Sequence, residues 1–489
     1  MRFQVPNEVS HVTHTLSGAG FEAYLVGGCV RDLLLGKEPK DWDVTTNAHP
    51  EATQALFEDT YYNNDFGTVG VVSPETQDER VKVVEVTPYR TEHGYSDARR
   101  PDRVEFSERL EDDLSRRDFT VNALAYDVLK DIVIDCYNGQ KDLSERRLIA
   151  VGDAGVRFQE DALRMLRAVR LSAELGFTIS QETYEALAQN RENLARISKE
   201  RIRDEFTRMV MSPAPAEALF HLKQLGLLSY VVPDLERAVD VPQNRSHIYT
   251  VFEHLLRSLQ HAADKGYPLE IRLAALFHDI SKPETRRFSR EINDHTFFGH
   301  EVVGSRVTRR ALAALKYPKD VIEKVSLLVR WHMFFSDPDE ISLSAVRRMI
   351  ANVGEENIWD LVNLRICDRI GSGKPKEEPV RLRKYKAMID EALRAPVSVG
   401  MLKIDGNTLI SEFQMKPGPR IGWILHALLE EVLDDPTRNS ENYLKSRVEE
   451  LATLSDEELR RLGEQGKDRR EREDEAMVTE IKKHHKVNF

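Results

Sequence analysis

The sequence predicts an α+β protein in which a small head of mixed strands and helices is followed by an all-α body. Short apolar runs rich in β-branched residues alternate with helical stretches in the first 150 residues. The apolar runs are AYLVG (23–27), VGVVS (69–73), VKVVEV (81–86) and IVIDCY (132–137), and the helical stretches are 29–36 and 118–129. From about residue 156 onward, apolar residues recur at spacings of three and four, which is the helical period. A sheet-containing head in front of a helical body is therefore expected.

Composition limits the classes of protein that the sequence fits. The chain has 489 residues, of which 41% are hydrophobic, so it can form cores. No apolar run reaches the roughly 18 residues of a membrane span, and the first residues lack the order of a secretory signal. We therefore expect a cytoplasmic protein without membrane contact. The cysteines, Cys29, Cys136 and Cys367, are far apart, which argues against a disulfide framework or a thiolate zinc site.

The charge distribution leaves room for a nucleic-acid surface despite the overall balance. The formal net charge is −12, from 70 basic and 82 acidic residues, which on its face argues against nucleic-acid binding. Much of the acidic charge lies at 430–435 and 455–475, however. Basic residues cluster at 99–103, 116–117, 164–170, 201–203 and 381–386. A local basic surface is compatible with this pattern.

The segment 24–46 carries the strongest local signal for a phosphate-binding site. A predicted strand runs into Gly27-Gly28, and a short helix that contains Arg31 follows. Paired glycines let backbone N–H groups approach an anion closely, and a helix N-terminus adds partial positive charge. Gly28 and Arg31 are therefore candidate ligands of a triphosphate.

Two aspartates in the same segment form a candidate metal site. Asp41 and Asp43 are two residues apart on a predicted strand, so both carboxylates project from one face. Such oxygen ligands favour magnesium or manganese, which can activate an attacking hydroxyl and neutralise a leaving pyrophosphate in an in-line displacement. Glu85, on another predicted strand, is a candidate third carboxylate; the alternative is a strand-edge residue facing water.

A second arginine candidate precedes a predicted helix start. Residues 116–123 read RRDFTVNA, in which Asp118 is predicted to cap a helix. Arg117 is a candidate phosphate ligand. The alternative is an arginine in a surface ion pair.

Residues 156–177 are predicted to form one helix with a polar stripe. Asp161, Arg164, Arg167 and Arg170 recur every three residues along it. Cytosine and adenine both present an amino donor beside a ring-nitrogen acceptor, whereas an ionised Asp accepts and an Arg donates hydrogen bonds. One Asp–Arg pair would therefore accept these two bases and reject guanine and uracil. The alternative is a stripe of ion pairs on a solvated helix.

Histidines and aspartates in the predicted body helices form a second candidate metal site. They are His254, His278, Asp279, His300, His332 and Asp368. Imidazole and carboxylate groups together suit a transition metal or magnesium. A single histidine on an apolar helix face is more often a core residue, but the order of the whole set favours metal binding.

Two further segments are interpreted as a loop and a turn. The Gly-, Pro- and Arg-rich stretch 90–106 is predicted to be a mobile loop between strands. Residues 416–420, KPGPR, precede a predicted helix whose N–H groups would suit an RNA phosphate, but a helix-joining turn accounts for these residues more simply.

The head motifs resemble one family. The segments GGCVRD, DWD, RRDFTVNA and EDALRMLRAVR are similar to those of the class II tRNA nucleotidyltransferases, which comprise CCA-adding enzymes and bacterial poly(A) polymerases of the polymerase-beta superfamily. The resemblance implies a polymerase-beta-like head with magnesium at Asp41 and Asp43. It also implies that Asp161 and Arg164 read the base and that Arg167 and Arg170 contact the nucleotide. In similar proteins a loop at 90–106 assists the change from C to A addition.

The body resembles the His-Asp (HD) metal-dependent phosphohydrolase domain over about 240–370. The resemblance implies that four residues are metal ligands, namely His254, His278, Asp279 and Asp368. His300 and His332 match the additional pair of binuclear members. A divalent metal in this domain is expected, and hydrolysis of phosphate esters on RNA ends is left open.

These observations predict an enzyme that adds CMP, CMP and AMP to the 3′ end of tRNA from CTP and ATP without a template. The alternatives are a poly(A) polymerase, an enzyme that adds only CC or only A, or an HD phosphohydrolase with a vestigial head. The oligomeric state is open. The expected domains are a catalytic head (1–150), a base-reading neck (151–235), an HD-type domain (236–375), a tRNA-binding body (376–455) and a charged tail (456–489).

Overall fold

In the computed structural model, the chain divides into two compact units, residues 1–231 and 232–489. The structure describes residues 3–62, 67–94, 103–244, 248–334 and 341–463. None of the helices in these ranges is both long and apolar enough to cross a membrane. Most of the predicted charged tail, from residue 464 onward, lies outside the described ranges.

The strands of the first unit are β1 Ala23–Val26, β2 Asp43–Thr46, β3 Thr60–Tyr62, β4 Val69–Val72, β5 Val83–Pro88, β6 Arg90–His93, β7 Arg103–Phe106, β8 Leu124–Asp127, β9 Ile132–Asp135, β10 Arg147–Leu148 and β11 Thr178–Ile179. Seven of them form one mixed sheet in the order β3-β4-β5-β2-β1-β8-β9. β2 and β5 are parallel, and the other neighbours in this sheet are antiparallel. The predicted strands at 23–27, 69–73, 81–86 and 132–137 are confirmed.

The helices of the first unit are α1 Asn7–Gly18, α2 Gly28–Leu34, α3 Pro50–Leu56, α4 Leu110–Ser115, α5 Gly139–Ser144, α6 Ala154–Glu160, α7 Leu163–Leu175, α8 Gln181–Asn190, α9 Lys199–Met211, α10 Pro215–Gln224 and α11 Leu228–Val231. Leu110 and Leu114 of α4 pack on Val26 and Ala125 of the sheet, together with Tyr89. This apolar contact fixes α4, which carries Asp113 and leads directly into Arg116 and Arg117.

The predicted helix over 118–129 is wrong. Residues Thr120–Asn122 form a single 3₁₀ turn, and strand β8 follows. All four residues of β8 are buried between β1 and β9, so strand pairing outweighs the local helical pattern. The Asp118 carboxylate accepts the N–H of the next residue, Phe119, at 2.8 Å and caps no helix.

The predicted single helix over 156–177 is also wrong, because the chain breaks between α6 and α7. Asp161 has an extended backbone with φ −134° and ψ 104°. Its carboxylate accepts the N–H of Leu163 at 3.0 Å, so Asp161 stands at the entrance of α7. The stripe of four polar residues is therefore interrupted after its first member.

The loop predicted at 90–106 is wrong at both of its ends, whereas the structure agrees with the helix-joining turn predicted at 416–420. Both ends of the predicted loop 90–106 are strands, β6 and β7, which pair antiparallel, while its tip at 95–102 lies outside the described residues. A helix begins at Pro419, within KPGPR, and Arg420 forms an ion pair with Asp456 and donates to the Leu454 carbonyl at 2.7 Å. These contacts agree with a helix-joining turn.

The second unit is helical apart from one short hairpin in its described residues, β12 Arg287–Ser289 and β13 Asp294–Thr296. Its helices are α12 Pro233–Glu236, α13 Val251–Asp264, α14 Leu269–Phe277, α15 Lys282–Thr285, α16 His300–Ala314, α17 Lys319–Trp331, α18 Leu343–Val353, α19 Glu355–Gly371, α20 Val380–Ala392, α21 Gly406–Ser411, α22 Pro419–Asp434 and α23 Glu441–Ala452. α13 packs against α14 and α19, and α17 packs against α14, α16 and α19. This packing brings the five segments that carry the predicted histidines and aspartates together.

Candidate functional sites

A polar cavity of about 590 Å³ lies in the first unit. Its wall contains seven of the residues that the sequence singled out: Gly28, Arg31, Asp41, Asp43, Arg117, Arg167 and Arg170. Glu85, Asp161 and Arg164 are not among the described residues that line it. The structure thus brings the predicted phosphate ligands and the aspartate pair together around one cavity, which the other three residues do not line.

The turn between β1 and α2 forms one side of this cavity. Gly27 has φ +81°, a backbone conformation that side chains rarely adopt. Its N–H donates to the Leu124 carbonyl at 3.2 Å, which ties the turn to β8. The guanidinium of Arg117 lies directly above Gly27, since an added Cβ would be 2.9 Å from Arg117 Nη1.

Replacing Gly27 by Ala is expected to raise the KM for CTP by about tenfold or more. The methyl group would displace Arg117 from its place above the turn, and a hydrogen bond to a charged group is worth roughly 1.5–3 kcal/mol. Steady-state kinetics with CTP measure the effect. Gly36→Ala is the matched control, because Gly36 has φ +66° but no neighbour within 4 Å of an added methyl. An equal rise in KM in both variants would attribute the effect to backbone strain alone.

The candidate metal site of the head lies where β2 begins. Asp43 is the first residue of β2 and is half-buried, whereas Asp41 precedes the strand in an exposed bend. The prediction that both lie on a strand is therefore right only for Asp43. Glu85 is exposed on β5 and is the direct register partner of Asp43 in the parallel ladder.

The electrostatics of these carboxylates fit a divalent cation. Burial raises the pKa of Asp43 to about 6, the nearby charges of Glu85 and Asp41 act in the same direction, and Arg117 opposes them. A divalent cation would relieve the repulsion between the carboxylates, and their oxygens are the ligands that magnesium and manganese prefer.

A hydrogen-bonded chain of side chains positions two arginines on the cavity wall. Arg31 Nη1 donates to Asn122 Oδ1 at 2.7 Å, and Asn122 Nδ2 donates to Asp118 Oδ1 at 3.1 Å. Arg167 Nε donates to the other oxygen of Asp118 at 2.8 Å. Although burial alone would raise the pKa of Asp118, Arg167 and Asn122 hold it below its usual range. Asp118 is therefore an ionised anchor for Arg167.

The other two arginines are held by buried carboxylates. Arg117 Nη2 lies 3.1 Å from Asp113 Oδ2, and Asp113 is fully buried. Arg170 Nε lies 2.7 Å from Glu205 Oε2, and both side chains are buried. The alternative of a surface ion pair for Arg117 is not supported, because its partner is inaccessible to solvent. Such pairs fix the guanidinium positions before any ligand arrives.

The predicted base-reading pair has other partners in the structure. The Asp161 carboxylate binds Arg201 at 2.8 Å, and Arg164 Nη1 binds Glu160 at 2.9 Å. Arg164 Nη2 also donates to the Arg116 carbonyl at 2.9 Å. Asp161 and Arg164 are thus each held by a neighbour, and their role in base reading stays a prediction.

Sequence reasoning missed several residues that support the site. Asn122, Asp113, Glu205 and Arg201 had no assigned role, and Asp118 was assigned only a cap. Asp118 and Asn122 lie within RRDFTVNA, so the motif contained a signal. Glu205 and Arg201 lie on α9, some 40 residues from their partners, and carry no local signal.

The six predicted residues of the body converge on one buried centre. One group consists of His254, His278, Asp279 and Asp368, and a second group consists of Asp279, His300 and His332. In each group the candidate ligand atoms lie within 4.8 Å of one another. The residues that the sequence singled out as a second candidate metal site therefore lie together, and metal binding by them stays a prediction.

Asp279 connects the two groups. Its Oδ2 lies 3.1 Å from His254 Nε2 and 3.4 Å from His278 Nε2. Its Oδ1 lies 3.1 Å from His300 Nε2 and 3.6 Å from His332 Nε2. Each carboxylate oxygen faces one group, as expected of a carboxylate that bridges two cations.

Hydrogen bonds orient the imidazoles toward the centre. The Nδ1 atoms of His278, His300 and His332 lie 2.9, 2.7 and 2.7 Å from the backbone carbonyls of Ala275, Phe297 and Val329. A carbonyl only accepts, so Nδ1 of each ring carries a proton, and the Nε2 atoms of His300 and His332 are left with their lone pairs. The Nε2 atoms of His300 and His332 are 3.2 Å apart. Two lone pairs at this separation repel unless a cation lies between them, so the donor set fits bound metal.

The pKa shifts of the residues around the centre also fit bound metal. Although burial opposes ionisation, Lys282 and His278 hold the pKa of Asp279 well below its usual range. Burial alone would lower the pKa of His278, but Asp279 and Asp368 raise it to about 9. Burial lowers the pKa of His332 to about 4. The centre thus combines ionised carboxylates with strong attraction for positive charge.

Known proteins similar to this chain match most of its length. A CCA-adding enzyme of Lactobacillus helveticus is 33% identical over 446 residues, which is 90% of this chain and 96% of that protein. A CC-adding tRNA nucleotidyltransferase of Thermus thermophilus is 34% identical over 421 residues, covering 84% and 89% of the two chains. The crystal structure of the Bacillus stearothermophilus CCA-adding enzyme in complex with CTP is 26% identical, with a TM-score of 0.63, and covers 92% of this chain and 99% of that one.

Family models match three parts of the chain: the poly(A) polymerase head domain at 23–149, a probable RNA-binding and SrmB-binding site of polymerase A at 176–239, and the HD domain at 251–370. The fold, the head cavity and these matches define a nucleotidyltransferase with an HD domain. The similarity to tRNA nucleotidyltransferases extends over most of both chains. This chain belongs to the family of CCA-adding enzymes.

Proposed function

We propose that this chain adds C, C and A to the 3′ end of tRNA from CTP and ATP without a nucleic-acid template. The observation that carries the proposal is the head cavity, which is lined by the Gly27-Gly28 turn, by Asp41 and Asp43, and by the predicted arginines Arg31, Arg117, Arg167 and Arg170. Similarity to relatives named as CCA-adding and CC-adding enzymes also supports the proposal. Because tRNA is the substrate, we expect the protein to work in the cytoplasm.

In this reaction the terminal 3′-hydroxyl of the RNA attacks the α-phosphorus of the nucleotide. The new O–P bond replaces the bond to pyrophosphate, which leaves, and the hydroxyl loses its proton. Magnesium or manganese held by Asp41 and Asp43 would activate the hydroxyl and neutralise the leaving group. Arg31 and Arg117 bind and orient the triphosphate, with Gly27 and Gly28 keeping the wall free of side chains. Arg167 and Arg170 contact the nucleotide from α7.

Separate incubations of tRNA lacking its terminus with each labelled nucleotide test this proposal. We expect CMP to be incorporated first and AMP only after CC, with GMP and UMP excluded. Long A-tracts from ATP alone would identify a poly(A) polymerase instead. Products that end at CC in the presence of both nucleotides would identify a CC-adding enzyme, which the Thermus thermophilus relative makes a specific alternative.

Base selection by Asp161 and Arg164 follows from their chemistry together with the resemblance of EDALR to the family motif. A nucleotide that reaches Asp161 would have to replace or share its ion pair with Arg201, which lies 2.8 Å away. Leaving a buried polar group unpaired makes the rejection of wrong bases strong. The loop at 90–106 assists the change from C to A in this proposal.

Replacing Asp161 by Ala is expected to lower the discrimination of C and A against G and U by about tenfold or more. The ratio of kcat/KM for CTP to that for UTP measures it. Asp153→Ala is the matched control, because Asp153 also stands at a helix entrance and its carboxylate accepts the N–H of Val156 at 2.9 Å. Equal discrimination in the two variants would limit Asp161 to a structural role.

A second activity is proposed for the metal centre of the body, namely hydrolysis of phosphate esters at RNA ends. The bridging position of Asp279 between two ligand groups favours it. Water attacks the phosphorus, the P–O bond to the ribose breaks, and the ribose oxygen gains a proton. Bound divalent metal would polarise the phosphate and activate water. Release of inorganic phosphate from an RNA with a 3′-phosphate tests this, and no release in the presence of manganese would contradict it.

The division of labour along the chain is part of the proposal. Residues 1–150 are the catalytic head, 151–235 the base-reading neck, 236–375 the HD-type domain and 376–455 the tRNA-binding body. The family matches at 23–149 and 251–370 support the first and third of these ranges. The basic residues at 381–386 on α20 support RNA contact by the fourth.

A further inference from the structure

A cavity of about 600 Å³ opens onto the metal centre of the second unit. Asp279, His300, His332 and Asp368 form its metal-facing wall, and Phe298 lies on the same cavity. Its volume is in the range of small-molecule sites. The candidate metal ligands form one wall of the cavity. The residues on its other walls are available to bind the rest of a ligand.

Phe298 is an exposed aromatic residue that lines this cavity. Its side chain is 78% exposed, whereas the neighbouring Phe297 is 8% exposed and packs near the Lys282 ammonium, 5.5 Å from its ring centroid. Gly299, with φ +77°, turns the chain directly after Phe298 into α16, which begins at the candidate ligand His300. The backbone thus holds an exposed aromatic ring two residues from the metal centre. Aromatic rings in such positions stack on nucleobases with little dependence on sequence.

The cations of the cavity suit a phosphate group. Lys282 Nζ lies 2.6 Å from Asp279 and Arg365 Nη1 lies 2.5 Å from Asp368, so these two cations balance the ligand carboxylates. Arg369 and Lys374 line the cavity in addition. Divalent metal at the centre would make the cavity strongly positive.

The positive charge continues beyond this cavity. Arg365 and Arg369 also line a neighbouring cavity of about 300 Å³, whose wall includes Arg381. Positive charge from Arg365, Arg369 and Arg381 therefore extends from the metal-centre cavity into the neighbouring one, which suits the phosphates of an RNA strand that continues beyond its terminal nucleotide.

We propose that Phe298 is the base-stacking subsite of the metal centre, and that the cavity takes a nucleoside phosphate with its base on Phe298 and its phosphate between the centre and Arg369 and Lys374. This inference rests on the phosphohydrolase activity proposed above. The ligand has two sources with the same chemistry, a free nucleotide and the 3′-terminal nucleotide of an RNA. Arg381 distinguishes them, because it contacts only the preceding part of an RNA strand.

Binding of a 2-aminopurine riboside 3′-phosphonate tests the subsite without requiring catalysis, because the phosphonate is not hydrolysed and 2-aminopurine fluorescence falls on stacking. With the full chain and manganese, we expect quenching on binding. Phe298→Ala should abolish the quenching and raise Kd by about tenfold, in keeping with stacking on one aromatic ring. Phe220→Ala, an exposed phenylalanine of α10 in the first unit, is the control and should behave as the unchanged chain.

Kinetics separate this inference from the hydrolase proposal. With hydrolysis present, Phe298→Ala should raise KM for a nucleoside 3′-phosphate but not for ribose 3-phosphate, which has no base. Equal KM values for the nucleotide in Phe298→Ala and in the unchanged chain would overturn the subsite. Quenching that survives Phe298→Ala would also overturn it. Quenching that depends on Phe298 without any phosphate release would retain the subsite and overturn the hydrolase proposal. Arg381→Gln should raise KM for the RNA end alone; an equal rise for the free nucleotide would overturn the assignment of Arg381 to the RNA strand.

Discussion

Replacing Asp43 by Asn is expected to lower the rate of nucleotide addition by about three orders of magnitude or more. Asp43 is the half-buried member of the aspartate pair; burial, together with the negative charges of Glu85 and Asp41, raises its pKa to about 6. Metal-assisted charge stabilisation contributes several kcal/mol to such transition states, and about 1.4 kcal/mol corresponds to tenfold in rate. Single-turnover addition of CMP to tRNA lacking its terminus measures the loss.

Two further variants are compared with Asp43→Asn. Asp59→Asn changes an exposed aspartate outside the cavity and should leave the rate within about twofold, since exposed charges contribute little. Glu85→Gln tests the third carboxylate. A loss comparable to that of Asp43→Asn would include Glu85 in the metal site, and a near-normal rate would make it the strand-edge residue of the alternative interpretation. An Asp43→Asn protein that retains its fold and most of its rate would contradict the catalytic assignment.

Replacing Asp279 by Asn is expected to remove the metal of the second unit while leaving nucleotide addition intact. Both oxygens of Asp279 face histidine groups, so one substitution affects both halves of the centre. Manganese retained after dialysis should fall by about two ions per chain, measured by elemental analysis, and manganese bound at Asp41 and Asp43 should be unaffected. The addition of CMP should be unchanged, because the proposed transfer site lies in the first unit.

Histidine variants provide the control for this measurement. His254→Ala should lose metal, whereas His261→Ala should not, although both histidines are buried on α13. His261 lies 3.7 Å from Glu377 and belongs to neither ligand group. Equal manganese content in the unchanged chain and in Asp279→Asn would contradict the metal assignment.

Much of the architecture followed from the sequence because the signals were local. The strands at 23–27, 69–73 and 132–137 are short β-branched runs, and their side-chain period is visible in a few residues. The clustering of the body histidines was predictable in kind, since six ligand-type residues on successive apolar helices are costly to bury unless they bind a common cation. The Gly27-Gly28 turn was predictable because a strand-to-helix connection with a left-handed residue requires glycine.

The remaining features depend on contacts between distant parts of the chain. Residues 118–129 look helical locally, but β8 fills the place between β1 and β9, and pairing on both sides determines its conformation. The helix breaks at Asp161, and the Asp161 carboxylate forms an ion pair with Arg201, which is 40 positions away in the sequence. Likewise, the anchoring of Arg170 by Glu205 depends on how α7 packs against α9. Such pairings have no signature in a single segment.

The most direct test of the nucleotidyl-transfer account is a crystal structure of this protein with CTP and manganese, with the metal located by its anomalous signal. We expect manganese to be coordinated by Asp41 and Asp43 and by the phosphates of the nucleotide, with Arg31 and Arg117 on the triphosphate. Bound CTP in the head cavity with no manganese at these two aspartates would contradict it.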